Sequence, residues 1–168
     1  QRVGQHPLIT IHCGASVVSH QGLPGRFSAE IALAGGAKEV VPHGAVVLAV
    51  GGNPSETSAY GMGSHESVIT QFDLERRLHA PENAFDPPGS VVMIQCAGSR
   101  EEPNNYCSRI CCAKALSNAL LLKERQPDSK IWIFYRDIMT YGDLEKIYTR
   151  ARAAGVFLRP FDPGQKPT

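Results

Sequence analysis

From Ser90 onward the chain alternates strand-sized apolar runs with helix-length amphipathic stretches, and few folds accept that order. Val91-Val92-Met93-Ile94-Gln95 reads as a buried strand. Ala113–Gln126 reads as a helix with Leu116, Leu120 and Leu121 on its inner face, ended by Pro127. Lys130–Tyr135 is the next strand, Leu144–Ala154 a second helix stopped by Gly155, and Val156-Phe157-Leu158 opens a third strand. A βαβα order predicts a parallel sheet with right-handed crossovers, hence an α/β, Rossmann-like unit.

The upstream pattern is different. Leu8–Cys13 and Ala15–Val18 are short β-prone runs, and the turn Gln21–Gly25 leads into Arg26–Leu33, which alternates apolar and polar residues. Ala45–Val50 is a continuous apolar run ending at Gly51-Gly52, the pattern of a strand buried on both faces. Residues 53–89 turn to Gly, Ser, Pro and charge, with one helical stretch over Thr70–His79 carrying a partial stripe of Phe72, Leu74 and Leu78. Asp86-Pro87-Pro88-Gly89 closes it as a stiff linker. The expected organisation is a β-rich segment over 1–52, a linker with a short helix over 53–89, and a Rossmann-like module over 90–168.

Composition narrows the function. With 168 residues and a formal net charge of +1, the chain has room for one well-cored domain but no electrostatic footprint for nucleic acid. No apolar run approaches the roughly 20 residues of a membrane helix. The opening Gln1-Arg2-Val3-Gly4 lacks a start Met and reads as a cut edge, so an internal fragment of a longer protein is expected.

Four of the five cysteines, Cys96, Cys107, Cys111 and Cys112, fall within seventeen positions. A secreted disulfide scaffold would spread its cysteines to close loops, so the clustering points to metal or redox chemistry in a reducing, cytoplasmic setting. They occupy the turn after the first strand of the βαβ unit, where nucleotide-binding relatives carry a glycine fingerprint. Here Gly98 is the only glycine of that turn. Cys96 is expected at the strand end and Cys107 near the helix start, sharing a helical face with Cys111, with Cys112 on the same first turns. A helix N-terminus, with Arg100 and Arg109 nearby, favours thiolates and an anionic centre. Four soft ligands suit an iron–sulfur cluster or zinc. Buried cysteines grouped by chance, a structural zinc, and a redox-active disulfide using the vicinal pair Cys111-Cys112 are the rival readings.

The stretch from Val91 through Cys96-Ala97-Gly98-Ser99-Arg100-Glu101, followed by Tyr106-Cys107-Ser108-Arg109-Ile110-Cys111-Cys112, closely resembles the heterodisulfide reductase A-subunit family, including its quinone-interacting oxidoreductase relatives. Leu121-Leu122-Lys123-Glu124, Ile133–Ile138 and Gly155-Val156 look like the family's continuation, and Val47–Gly52 like the strand returning to the FAD domain in thioredoxin-reductase-like flavoproteins. The resemblance implies an electron-transfer module of an FAD- and iron–sulfur-dependent oxidoreductase. Cys96, Cys107, Cys111 and Cys112 would ligate a four-iron, four-sulfur cluster that relays electrons between flavin and partner subunits. It also implies that Gly51 and Gly52 approach a flavin in the full-length protein, whose flavin divides electrons between a high- and a low-potential acceptor. The family loop between the first two cysteines is often longer than the ten residues found here. The chain has no Gly-x-Gly-x-x-Gly and no ferredoxin-like Cys-x-x-Cys-x-x-Cys run, so its FAD site is incomplete and it is not expected to be catalytically competent alone.

Two alternatives belong to other classes: a pyridine-nucleotide-disulfide oxidoreductase domain with a redox-active cysteine pair, and a zinc-stabilised structural module. Of the remaining residues, Cys13 is read as a small buried hydrophobe. The six histidines never stand at metal-like spacing. Tyr106 and Tyr135 are candidates for an apolar cover over the site, and Arg136 and Asp137 are read as solvated or capping.

Overall fold

The computed structural model describes residues 3–81, 86 and 88–168. Gln1-Arg2 of the expected cut edge and Pro87 of the expected linker lie outside the described residues. The chain divides into two compact units, Gln1–Gly52 and Asn53–Thr168.

The first unit is an antiparallel sheet of β1 (Ser16–Leu23), β2 (Arg26–Ala32) and β3 (Lys38–His43), in that order. Its first hairpin requires Gly22, which has φ +112 and where a Cβ would stand 2.2 Å from the Arg26 carbonyl oxygen. The expected β-structure is therefore present, but not everywhere it was expected. Leu8–Cys13 forms no strand, and Leu8 is 88% exposed. Ala45–Val50 forms none either, and Val47, Leu48 and Val50 stand 85–90% exposed rather than buried on two faces. An apolar run becomes a buried strand only where neighbouring strands offer their edges and a layer covers each face. Among the described residues, the named strands of this unit pair only with one another. Cys13 is exposed for the same reason, not buried as read from the sequence.

The second unit is the α/β fold. Its strands β4 (Ser90–Ile94), β5 (Lys130–Tyr135) and β6 (Phe157–Pro160) form a parallel sheet in the order β4-β5-β6. Helices α2 (Cys111–Arg125) and α3 (Glu145–Ala153) make the crossovers and pack on each other, which sets them on one face. A preceding helix, α1 (Gln71–Leu78), packs on α2. Thr70 caps it, accepting from the Asp73 backbone N–H at 3.0 Å. Met93, Ile131 and Ile133 from the sheet meet Leu116, Ala119 and Leu122 of α2, with Leu74 and Leu78 of α1 closing one end. Each fully buried Leu or Ile contributes about 1.5–3 kcal/mol by leaving water.

Three details differ from expectation. The deep face of α2 runs through Cys112, Ala115, Leu116, Ala119 and Leu122, so Leu122 is buried while Leu120 and Leu121 pack at its margin. On α1, Leu74 and Leu78 are buried but Phe72 is 60% exposed. And β4 is not buried on both sides: pleating turns Val92 to the face opposite the helices, where it is 59% exposed. Helix α2 is tied to α1 by its buried Asn118, whose Nδ2 donates to the Gln71 carbonyl and side-chain oxygens, both at 2.9 Å. Among the described residues no helix is long and apolar enough to cross a membrane.

Candidate metal centre

The turn after β4 is wound tightly and against its own preferences. Cys96, Gly98 and Arg100 all adopt left-handed backbone, at φ 62, 70 and 60, an arrangement that only Gly98 accepts without strain. The loop then folds back on itself. Arg100 N–H donates to the Asn104 carbonyl at 2.8 Å, and Asn104 Nδ2 donates to Gly98 O at 3.3 Å. From the end of β5, Arg136 Nη1 donates to the Arg100 carbonyl at 2.9 Å, and Asp137 pairs with the Arg100 guanidinium at 2.7 Å. Arg136 and Asp137, read from sequence as solvated or capping, are thus the anchor of the cysteine loop.

This winding gathers three of the four clustered thiols. Cys96 sits just past the carboxyl end of β4, facing the first turn of α2, where Cys111 and Cys112 begin the helix. Cys112 is 2% exposed, and its thiol lies 3.5 Å from the Asp137 carbonyl that accepts it. Cys107 is placed differently from the sequence reading. Arg109 has φ 62, a conformation no right-handed helix accommodates, so α2 starts only at Cys111 and Cys107 stays on the loop instead of sharing the helical face. Its sulfur accepts from the Arg109 backbone N–H at 3.4 Å.

The thiols are electrostatically differentiated. The Cys112 thiol, then Ser108 and the backbone N–H groups of the helix start, hold the Cys111 thiol down to about 6 against its own burial. Cys112 is pushed well above the ordinary range, first because it gives its proton toward Cys111 and then because it is buried. Burial also raises Cys96, with Arg100 and Arg136 drawing it partly back.

Beside Cys96 opens a cavity of about 250 Å³, walled by Tyr60, Gln95, Arg136, Phe161 and Lys166. Gln95 is 3% exposed. Neither its Nε2 nor the buried Nε of Arg136 has a hydrogen-bond partner among the described residues. The sequence reading passed over Gln95, Tyr60 and Phe161; the one available signal was that Gln95 and Arg136 follow strand ends, where such folds place ligands. Tyr106 is 58% exposed and covers little, whereas Tyr135 is half-buried. Gly51 and Gly52 lie in the first unit, exposed and with open space around them.

Whether these residues fit a metal group depends on the group. A single zinc needs its thiolates about 2.3 Å from one point. Among the described residues no three Cys, His, Asp or Glu side chains are grouped to hold an ion that way. A four-iron cluster takes one thiolate on each iron, so its ligands surround a cube and stand further apart. Soft thiols at a helix start, beside two guanidinium groups, suit that anionic centre in kind and placement.

An α/β unit with thiols at the strand-end turn, in place of a glycine fingerprint, is the class of protein these features define. No family model matches the chain. Among curated proteins it is 39% identical over 132 residues to the A-subunit of the ferredoxin/F420H2-dependent CoB-CoM heterodisulfide reductase of Methanosarcina acetivorans, covering 69% of this chain and 17% of that protein. It is 31% identical over 156 residues to the A-subunit of the H2:CoB-CoM heterodisulfide, ferredoxin reductase of Methanothermobacter thermautotrophicus, covering 83% and 22%. It is 37% identical over 124 residues to the iron-sulfur A-subunit of the CoB–CoM heterodisulfide reductase of Methanocaldococcus jannaschii, covering 65% and 19%. The chain is homologous to part of the heterodisulfide reductase A-subunit family, and it spans about a fifth of the length of these relatives.

Proposed function

We propose that this chain is the cluster-bearing electron-transfer module of an FAD- and iron–sulfur-dependent oxidoreductase, with Cys96, Cys107, Cys111 and Cys112 as ligands of a four-iron, four-sulfur cluster. The observation that carries the reading is the meeting of Cys96 at the end of β4 with Cys111 and Cys112 at the start of α2, in a chain homologous to reductase subunits. One relative carries iron–sulfur in its name.

When bound, the cluster supplies reversible one-electron transfer. The residues of the chain set its surroundings. The helix start and the Arg100 and Arg136 guanidiniums favour its negative charge, and the α2 core holds Cys112 away from water. Cys107, on the loop, has only a short path to travel to complete the set. In the full-length protein FAD would exchange electrons with the cluster, and Gly51-Gly52 would lie on the flavin side. Partner subunits would deliver or accept the electrons, in the cytoplasm, where thiols stay reduced. The division into 1–52, 53–89 and 90–168 belongs to the same proposal.

The test is anaerobic reconstitution followed by iron, sulfide and zinc analysis and a visible spectrum. About four irons per chain, with a broad band near ~400 nm that bleaches on reduction, are expected, and both fall in Cys107→Ser and Cys112→Ser. An iron-free protein after reconstitution ends the reading, and one zinc per chain would replace it with the structural module. A second reading has one observation in its favour, the contact between the Cys111 and Cys112 thiols. If they are a redox pair, thiol titration of cluster-free protein shows two thiols lost on mild oxidation and recovered by dithiol.

A further inference from the structure

We propose that the cavity beside Cys96 is a binding site for a small monocarboxylate bearing an apolar or ring portion. The cavity holds about 250 Å³, just below the roughly 300–1,000 Å³ of sites for drug-sized ligands, so it suits a fragment and not a dinucleotide. It opens beyond the carboxyl ends of parallel strands, the place where α/β sheets bind ligands.

Its polar groups call for an acceptor. Gln95 is 97% buried, given its 3% exposure, yet its Nε2 has no partner, and the Arg136 Nε is buried and likewise unpartnered among the described residues. Leaving a buried donor unmatched costs about 1–3 kcal/mol, so two around one cavity mark an absent acceptor.

The charges call for a single negative one. Lys166 pairs with Glu101, and Arg100 with Asp137, so those four cancel. Arg136 makes no ion pair among the described residues, and its guanidinium is held in place by the Nη1 bond to the Arg100 carbonyl at 2.9 Å. One fixed, uncompensated guanidinium beside an amide donor recognises a carboxylate. Tyr60, Phe161 and Pro167 give the rest of the ligand an apolar wall. Of the clustered cysteines only Cys96 lines this space, so the site borders the thiol centre without requiring that it be loaded.

The experiment is an NMR titration of the full chain, reduced and cluster-free, with benzoate, acetate, benzyl alcohol and inorganic phosphate, read at the Gln95 side-chain amide. Benzoate should shift that amide saturably, acetate should bind more weakly, and benzyl alcohol should not saturate. Gln95→Leu and Arg136→Gln should each weaken benzoate by about tenfold or more, the loss of one hydrogen bond to a charged group. Lys166→Gln, at the rim, should weaken it less, by leaving Glu101 unpaired, and keeps the test open should Gln95→Leu fail to fold. A flat titration, equal binding of benzyl alcohol, tighter binding of phosphate, or benzoate affinity unchanged in folded variants overturns the site. Iron analysis of the same preparation after reconstitution reports separately on the cluster.

Discussion

The two units of this chain are built from similarly β-prone sequence and end up with opposite interiors. In the second unit Leu116, Leu122, Ile131 and Ile133 are fully buried. In the first, the buried apolar side chain among the described residues is Ala29, and β1 is exposed along its whole length. The difference is the helices. An amphipathic helix laid on a sheet excludes water from both, whereas three antiparallel strands alone satisfy their backbone and bury little. Hydrogen-bond ladders decide the shape of the first unit, and apolar packing decides the stability of the second.

The contrast breaks most visibly at the core. Leu116→Ala or Leu122→Ala should cost about 2–5 kcal/mol, since each leaves a cavity in a fully packed site. Leu48→Ala, at 85% exposure, should stay within about 0.5 kcal/mol. Urea denaturation measures both, and equal costs would mean the first unit has a core of its own. Next comes Gly98→Ala, expected to cost about 1–2 kcal/mol through its left-handed backbone alone. A Cβ there also stands 2.9 Å from Thr57 Cβ, while Gly35→Ala in the first unit meets open space and should be close to neutral. Thermal melts of the two variants separate a packed loop from a free one.

Smaller effects sharpen the role of the helices. Thr70→Ala removes the cap of α1 and should cost about 1 kcal/mol in the same denaturation assay. The smallest change concerns Asp73, whose carboxyl is held below its ordinary value of 3.8, mainly by the Thr70 hydroxyl. A lowered folded value stabilises above the unfolded one and is lost as pH falls through the folded one. The advantage of wild type over Asp73→Asn should therefore be constant at neutral pH and vanish in acid below 3.8. A difference that persists there would assign the effect to packing, not charge.

Much of the site was legible because its chemistry is local. The cysteine cluster, the strand that ends at Cys96 and the helix that follows are all visible as pattern and spacing. Cys107 was misplaced because one residue, Arg109, takes a left-handed conformation, and nothing in an arginine announces that. Similarly, His20 and His43 never approach metal-like spacing in sequence, yet the antiparallel register of β1, β2 and β3 brings their Nε2 atoms to 3.1 Å.

By itself the sequence determined the α/β alternation, the parallel order that alternation demands, and four soft ligands at a strand-end turn. These follow from periodicity and residue type, which act over a few neighbours. Only the tertiary structure decided which apolar runs found a cover: Met93 did and Leu48 did not. It also decided that Arg136 and Asp137 reach back to hold the cysteine loop, and that two buried donors surround one cavity. Burial and long-range pairing depend on what the fold sets opposite each residue, and no local pattern encodes that.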